Sequence, residues 1–306
     1  MFRWLASSPK IYVVERQSPD WATLDDRYFD EMRAFARLIG RPENMIVDYV
    51  RLWDDTFPLS FFQVRARLKE IAMRSRADMR GVERIDLAGA ATLDAPGAWL
   101  VFSDDDDWFA PDLADRLRTE TGRGDEVVIW RSLVLRDGFE RRAVDHYCYT
   151  NNYGVRGRLA AVHCDRFECV AQHWLAQDTF SRLAPPTRFI DQPLSVTNRH
   201  PASTLELERG LGDRLDGARL RAMVADWMAK TGRADPATVP WTERYIAALR
   251  QVFQRLLEEG ERVRRHAGQP IELSRVVVRD LEKPRQCELP DKILTTDISE
   301  ITNDPE

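Results

Sequence analysis

"GAWLVFSDDDDWFAPDLADRL", residues 97–117, decides how this chain reads. Its apolar run, "GAWLVFS" (97–103), suits a β-strand buried on both faces. Four aspartates, Asp104 to Asp107, follow at once, and Pro111 then opens a helical pattern over 110–120. Four adjacent carboxylates repel one another, and a strand end is a poor place for Asp. The run is either a solvated turn or helix N-terminal cluster, or the seat of a cation that reverses the local electrostatics. Asp112 fits the helix-terminus alternative better than Asp104 to Asp107, because the run directly ends a buried strand.

Outward from this point, "KIYVV" (10–14) reads as a first strand and "NMIVDYVRL" (44–52) as a second. "DDRYFDEMRAFARLIG" (25–40) has apolar residues at Tyr28, Met32, Phe35, Ala36 and Leu38, with Gly40 as a helix stop. "SFFQVRARLKEIAMRSRA" (60–77) places Phe61, Val64, Leu68, Ile71 and Ala72 on one helical face, and "DEVVIWRSLVL" (125–135) is another buried strand. Strand and helix alternate to about residue 200, which predicts an α/β fold with a largely parallel sheet and helices on both faces. Ligands of such sheets bind outside the carboxyl ends of the strands, where the aspartates sit.

From about residue 205 the texture turns helical. Tyr245, Ile246, Leu249, Val252, Phe253, Leu256 and Leu257 form an apolar stripe within 242–265, suited to docking on the main domain or, as the lesser alternative, to a homodimer seam. After Pro270 only "IELSRVVVRDL" reads as structured. The expected organisation is a main domain over 1–205, a helical extension over 206–270 and a partly disordered acidic tail over 271–306. There is no internal repeat and no Gly-rich phosphate loop.

Of 306 residues, 43% are hydrophobic and 31% charged, consistent with a packed core, and the net charge of −5 argues against a generic nucleic-acid binder. A small phosphorylated ligand stays compatible with the local basic stretches. The N-terminal apolar stretch is too short for a signal peptide, and no window approaches the ~18 apolar residues of a membrane span. The four cysteines, Cys148, Cys164, Cys169 and Cys287, are sparse, so a reducing cytoplasm is expected. His146, Cys148, His163, Cys164, Cys169 and His173 match no standard zinc spacing.

Carboxylate oxygens are the hard ligands that Mg²⁺ and Mn²⁺ prefer. Two protein carboxylates would leave coordination positions for a ligand's phosphates, which suits a nucleotide-diphosphate donor. With the strand, acidic run and helix quoted above, the chain resembles the family 2-like glycosyltransferases of GT-A fold. The resemblance implies a Rossmann-like mixed sheet flanked by helices, a DXD motif in Asp104 and Asp106 with Asp105 between, and Asp107 as an extra acid. "QVRARLKEIAMRSRADM" falls where that family has a helix with a basic residue near the nucleotide.

"HWLAQDTFSRLAPPTRFIDQPLSVTNRHPAST" (173–204) is similar to the family's closing stretch. The resemblance implies Asp178 as the base that deprotonates the acceptor hydroxyl, a strand ending at a Pro-Leu turn, and His200 with Ser203 near the diphosphate or metal. Gln177 replaces the usual acidic neighbour, so Asp191 in "FIDQP" is a reserve base. "VVERQSPDW" stands where the family has its nucleobase turn, which leaves the base open. "YCYTNNYGVRG" (147–157) resembles a rhamnosyltransferase-like subgroup, and its Asn151 and Asn152 are either sugar ligands or turn formers. Arg65, Arg156 and Arg199 are candidates for phosphate contacts.

The expected activity is thus transfer of a sugar from a nucleotide donor to a hydroxyl of a glycan, lipid-linked or polysaccharide acceptor, with inversion, using Mn²⁺ or Mg²⁺. Two alternatives stand beside it. One is a degenerate GT-A-like binding or assembly module, the other a metal-dependent nucleotidyl- or phosphotransferase.

Overall fold

The computed structural model describes residues 9–15, 30, 34, 37–38, 45–57, 59–136, 139–141, 148–149, 151–162, 173–203, 216–231, 239–267, 276–277 and 294–297. Contacts divide the chain into two units, 1–258 and 259–306. In the second, Val276–Val277 and Leu294–Thr295 pair in parallel. The rest of the expected 271–306 tail lies outside the described residues, as does most of the expected helix over 25–40.

An eight-stranded mixed sheet organises the first unit. Its strands are β1 (Ile11–Glu15), β2 (Glu83–Asp86), β3 (Trp99–Ser103), β4 (Trp108–Phe109), β5 (Val127–Leu135), β6 (Phe139–Arg141), β7 (Tyr153–Arg156) and β8 (Thr187–Asn198). Seven follow the order β2-β1-β3-β7-β5-β8-β4, and β6 pairs with β5. β2, β1 and β3 run parallel, as do β5 and β8, while β7 lies antiparallel between β3 and β5. The expected largely parallel sheet is therefore mixed, flanked by helices and compatible with a Rossmann-like fold.

Tyr12, Val14, Leu100 and Phe102 join one apolar cluster, while their neighbours Ile11, Val13, Trp99 and Val101 join another. Period-2 side chains buried on both faces are what the unbroken apolar runs demand. The first cluster is completed by Phe180 of α6 (His173–Leu183) and Ala160 of α5 (Gly157–Val162). The second is completed by Leu113, Ala114 and Leu117 of α4 (Leu113–Glu120). A short helix, α3 (Leu87–Ala91), is capped by Asp86, whose carboxylate accepts from Gly89 N at 2.6 Å.

A third cluster gathers Trp53 of α1 (Met45–Thr56) and Phe57 directly after it, α2 (Phe61–Asp78), the later halves of β5 and β8, α7 (Gly217–Thr231) and the start of α8 (Glu243–Ala267). α1 spans Met45–Thr56, so the expected strand over 44–52 is a helix. Val50, Trp53 and Phe57 are buried at helical spacing and pack with Leu220 and Val224 of α7 in this cluster. Tertiary packing decides what the β-branched residues of a short window left ambiguous. α2 opens with a capping box between Ser60 and Gln63 and buries the expected face. Tyr245, Ile246, Leu249, Phe253 and Leu256 of α8 are buried in the same cluster, so this stripe packs within the chain.

β8 does not end at its Pro-Leu pair. Trp130 pairs with Ile190 and Arg131 with Pro193, then Ser132 with Ser195, so β8 bulges around Pro193 and continues to Asn198. Proline has no N–H for the ladder, and a bulge absorbs it.

Candidate functional site

β3 delivers the acidic run to the carboxyl end of the sheet, and three neighbours clamp it there. Arg76 of α2, buried, donates from Nε to Ser103 Oγ at 2.7 Å, and that hydroxyl donates to Asp104 O at 2.9 Å. Ser75 Oγ accepts from Phe109 N at 2.8 Å. On the far side, β4 pairs antiparallel with β8, and Asn198 Nδ2 donates to Asp106 O. The turn closes on itself through Asp104 N, which donates to Asp107 Oδ2 at 3.2 Å. Asp107 is thereby buried, while Asp104, Asp105 and Asp106 stay partly exposed.

The segment after β8 lies against this turn. Arg199 N donates to Leu135 O at 3.2 Å and Ser203 N to His200 O at 2.8 Å, fixing a tight loop. Arg65, buried on α2, donates from Nη1 to Ala202 O at 3.0 Å and holds Nη2 4.0 Å from Asp105 Oδ2. His200 Nε2 stands 4.0 Å from Asp106 Oδ2. His200 is 1% exposed, and neither of its ring nitrogens has a hydrogen-bond partner. Asn198 Oδ1 and Ser203 Oγ are likewise buried without partners.

The electrostatics follow from this packing. Burial, then the Asp105 and Asp104 charges, push the Asp106 carboxyl up to about 7 against the pull of Arg65. Burial, with Asp104 and Asp106, raises Asp107 well above the usual carboxylate range, and Arg76 opposes it. Burial and the nearby Arg65 push His200 down to about 3, so its imidazole is neutral at pH 7. Carboxyl oxygens and a neutral imidazole nitrogen are donor types that Mg²⁺ and Mn²⁺ accept. Among the described residues no three His, Cys, Asp or Glu side chains converge on one point to hold a metal.

Of the sequence candidates, Asp104, Asp105, Asp106, Asp107, Arg65 and His200 come together here, with Asp107 turned to closing the turn. Asp178 lies on α6, partly exposed and ion-paired to Arg182 at 3.0 Å. Phe180 of the same helix meets Tyr153 edge-on at 5.7 Å, and Tyr153 packs on Phe102 at 5.5 Å, one residue from the end of β3. That ring column sets α6 beside the acidic end of the sheet. Gln177 is held by Cys148, whose N donates to Gln177 Oε1 at 2.9 Å. Asp191 lies beside Trp130 and Arg131 of β5, while Asn198 pairs with Leu135, so the two stand four to five strand positions apart, about 15 Å at ~3.3 Å per residue. It is exposed and paired with Arg131, so it is not brought to the turn.

Three candidates turn out to be structural ties. Arg156 is buried at the opposite end of β3, with Nε donating to Asp125 O, Nη1 to Gly97 O and Nη2 to Gly122 O at 2.9–3.0 Å. Its guanidinium lies 3.9 Å over the Trp99 ring. It anchors loops at the amino end of the sheet instead of binding phosphate at the carboxyl end. Asn151 donates to Thr197 Oγ1 at 2.9 Å and accepts from Ser132 Oγ at 3.3 Å. Asn152 accepts from Tyr149 N and donates to Trp130 O at 3.2 Å. Both are buried and bind the chain to itself, as turn-forming amides do.

Cys148 is buried, and burial raises its thiol, which makes it a core residue. His146, His163, Cys164, Cys169 and Cys287 lie outside the described residues. Sequence reasoning missed Asn198, Ser75 and Arg76. Arg76 follows Ala72 by four positions, so the helical period itself put a cation on the buried face.

No protein-family model matches this chain, and no curated protein does. No helix among the described residues is long and apolar enough to cross a membrane.

Proposed function

We propose that this chain is a metal-dependent glycosyltransferase of GT-A type, moving a sugar from a nucleotide diphosphate donor to a hydroxyl acceptor with inversion. One observation carries the proposal: the acidic turn at the carboxyl end of β3 is faced by a buried, neutral His200 with no hydrogen-bond partner, 4.0 Å from Asp106. A strand-end position at a sheet's carboxyl edge is where α/β folds hold their ligands.

In this reading Asp104 and Asp106 would hold the cation and His200 would offer it a lone pair. Bound Mn²⁺ or Mg²⁺ would supply the positive charge that a departing diphosphate needs. Arg65, tied to Ala202 O, fixes the 199–203 loop against Asp105 and adds positive charge to the same place. Asp178 takes the proton of the acceptor hydroxyl as general base. The ring column from Phe102 through Tyr153 to Phe180 supports that role, because it holds α6 next to the end of β3.

A binding module of the same fold is the second reading, favoured by the lack of three converging ligands among the described residues. Calorimetric titration with UDP, GDP, dTDP and CDP, with and without Mn²⁺, separates the two. Micromolar binding of one nucleotide that requires Mn²⁺ and is lost in Asp104→Ala/Asp106→Ala is expected. Binding of none of the four removes the transferase reading.

A further inference from the structure

An imidazole that meets a ligand is ordinarily steered by a hydrogen bond to its other ring nitrogen. His200 lacks that steering: among the described residues neither ring nitrogen has a partner. Its backbone is pinned instead. Arg199 N donates to Leu135 O at 3.2 Å, and Arg199 O accepts from Trp227 Nε1 at 2.7 Å. On the other side of the residue, His200 O accepts from Ser203 N at 2.8 Å. The carbonyls before and after the His200 Cα are both held, which fixes the direction of its Cα–Cβ bond.

The ring is then set by packing. Phe253 of α8 lies 6.1 Å from the imidazole, tilted at 45°, and Trp227 of α7 lies 4.7 Å from Phe253. All three side chains are buried. About two turns before Phe253 on the same helix, Tyr245 packs at 5.3 Å on Trp108, the residue directly after Asp107. α8 therefore braces both walls of the site, the exit of the acidic turn and the imidazole that stands 4.0 Å from Asp106.

We propose that Trp227 and Phe253 are positioning residues, which aim the His200 imidazole at Asp106 in place of a hydrogen bond to the ring. The helices after residue 205 thus complete the site that the sheet begins. What the aimed imidazole serves, a bound cation, rests on the glycosyltransferase reading; the aiming itself does not.

The test uses the full chain with ¹⁵N-labelled histidine, in EDTA. NMR signals of the His200 ring are assigned by their absence from His200→Leu. Trp227→Phe removes the indole donor and keeps a ring, while Phe253→Leu removes a ring and keeps apolar bulk. Each should move or split the His200 signals. Leu220→Ala is the control for lost packing, since Leu220 is buried in the same cluster about two turns before Trp227 on α7. It should lower the melting temperature and leave the His200 signals in place. In Mn²⁺ titrations, Trp227→Phe should weaken binding about tenfold. The same change made in His200→Leu should add nothing, because its effect passes through the imidazole. Thermal melts confirm that each variant is folded.

His200 signals unmoved in both variants overturn the proposal, as do signals that move equally in Leu220→Ala. Mn²⁺ binding by wild type that Trp227→Phe leaves unchanged also overturns it. So does a further loss of Mn²⁺ affinity when Trp227→Phe is added to His200→Leu. The two readings fail separately. A wild type that binds neither Mn²⁺ nor any nucleotide removes the donor site, and the histidine signals still decide the aiming.

Discussion

The two ends of β3 hold polar groups in opposite states. At its amino end, Arg156 is buried with all three guanidinium nitrogens donating to backbone carbonyls and an indole beneath. At its carboxyl end, His200 is buried just as deeply with neither nitrogen partnered, beside carboxyls pushed out of their usual range. Both residues are polar, buried and unusual for a core, yet they do different work. A saturated buried group fastens the fold, whereas an unsatisfied one costs stability that a bound ligand can restore.

The comparison breaks if Arg156 can be removed cheaply. Arg156→Ala should lower unfolding free energy by about 3 kcal/mol in urea titrations, since three carbonyls lose their donor. Its folded fraction should bind nucleotide and Mn²⁺ as wild type does. A loss of binding without a loss of stability would return Arg156 to the site.

His200→Leu should do the reverse. Removing orphaned polar atoms should leave stability within about 1 kcal/mol of wild type, or raise it, while Mn²⁺ affinity falls at least about tenfold. A strongly destabilised variant with unchanged Mn²⁺ affinity would make His200 another tie.

The pH dependence of the metal-free protein sharpens the contrast within the site. Asp106 is raised to about 7, so the folded state holds its proton more tightly than the unfolded state. Its contribution to stability is present at acid pH and fades as pH rises towards 7. His200 is lowered to about 3, so its contribution is present above the ordinary histidine range and fades as pH falls towards 3. The two oppose each other in wild type. Asp106→Asn should therefore lose stability from pH 7 to pH 5, and His200→Leu should gain it, as read from urea midpoints. Slopes of the same sign would refute this assignment.

The smallest effect is expected at the exposed pair of Asp191 and Arg131. Asp191→Asn should shift stability by less than about 0.5 kcal/mol and leave the proposed sugar transfer intact. Asp178→Asn should be as mild on stability yet abolish transfer.

The sequence told most where side-chain period and burial agree. The apolar run ending at Ser103, the stripe from Phe61 to Ala72 and the stripe from Tyr245 to Leu256 were legible because each pattern suits one geometry only. The segment 44–52 misled because Met45 to Val50 is rich in β-branched residues. Its helical signal lies in Trp53 and Phe57, beyond that window. The antiparallel insertion of β7 has no local signature, since direction is set by which strands flank it. For the site, the acidic turn and His200 were visible as residue types. The engagement of Arg156, Asn151 and Asn152 was not, because their partners are carbonyls and hydroxyls far away in sequence.

The bulge in β8 has a consequence of its own. From Trp130 to Leu133 β5 advances three residues, while β8 advances six, from Ile190 to Val196. β8 thus carries a counted slack, and everything after it inherits its phase. Thr197 meets Asn151 while its neighbour Asn198 reaches Asp106. An insertion or deletion of one residue between Ile190 and Ser195 would exchange those two faces. The stretch around Pro193 therefore tolerates changes of letter far better than changes of length, and acts as the reading frame of the segment that carries His200.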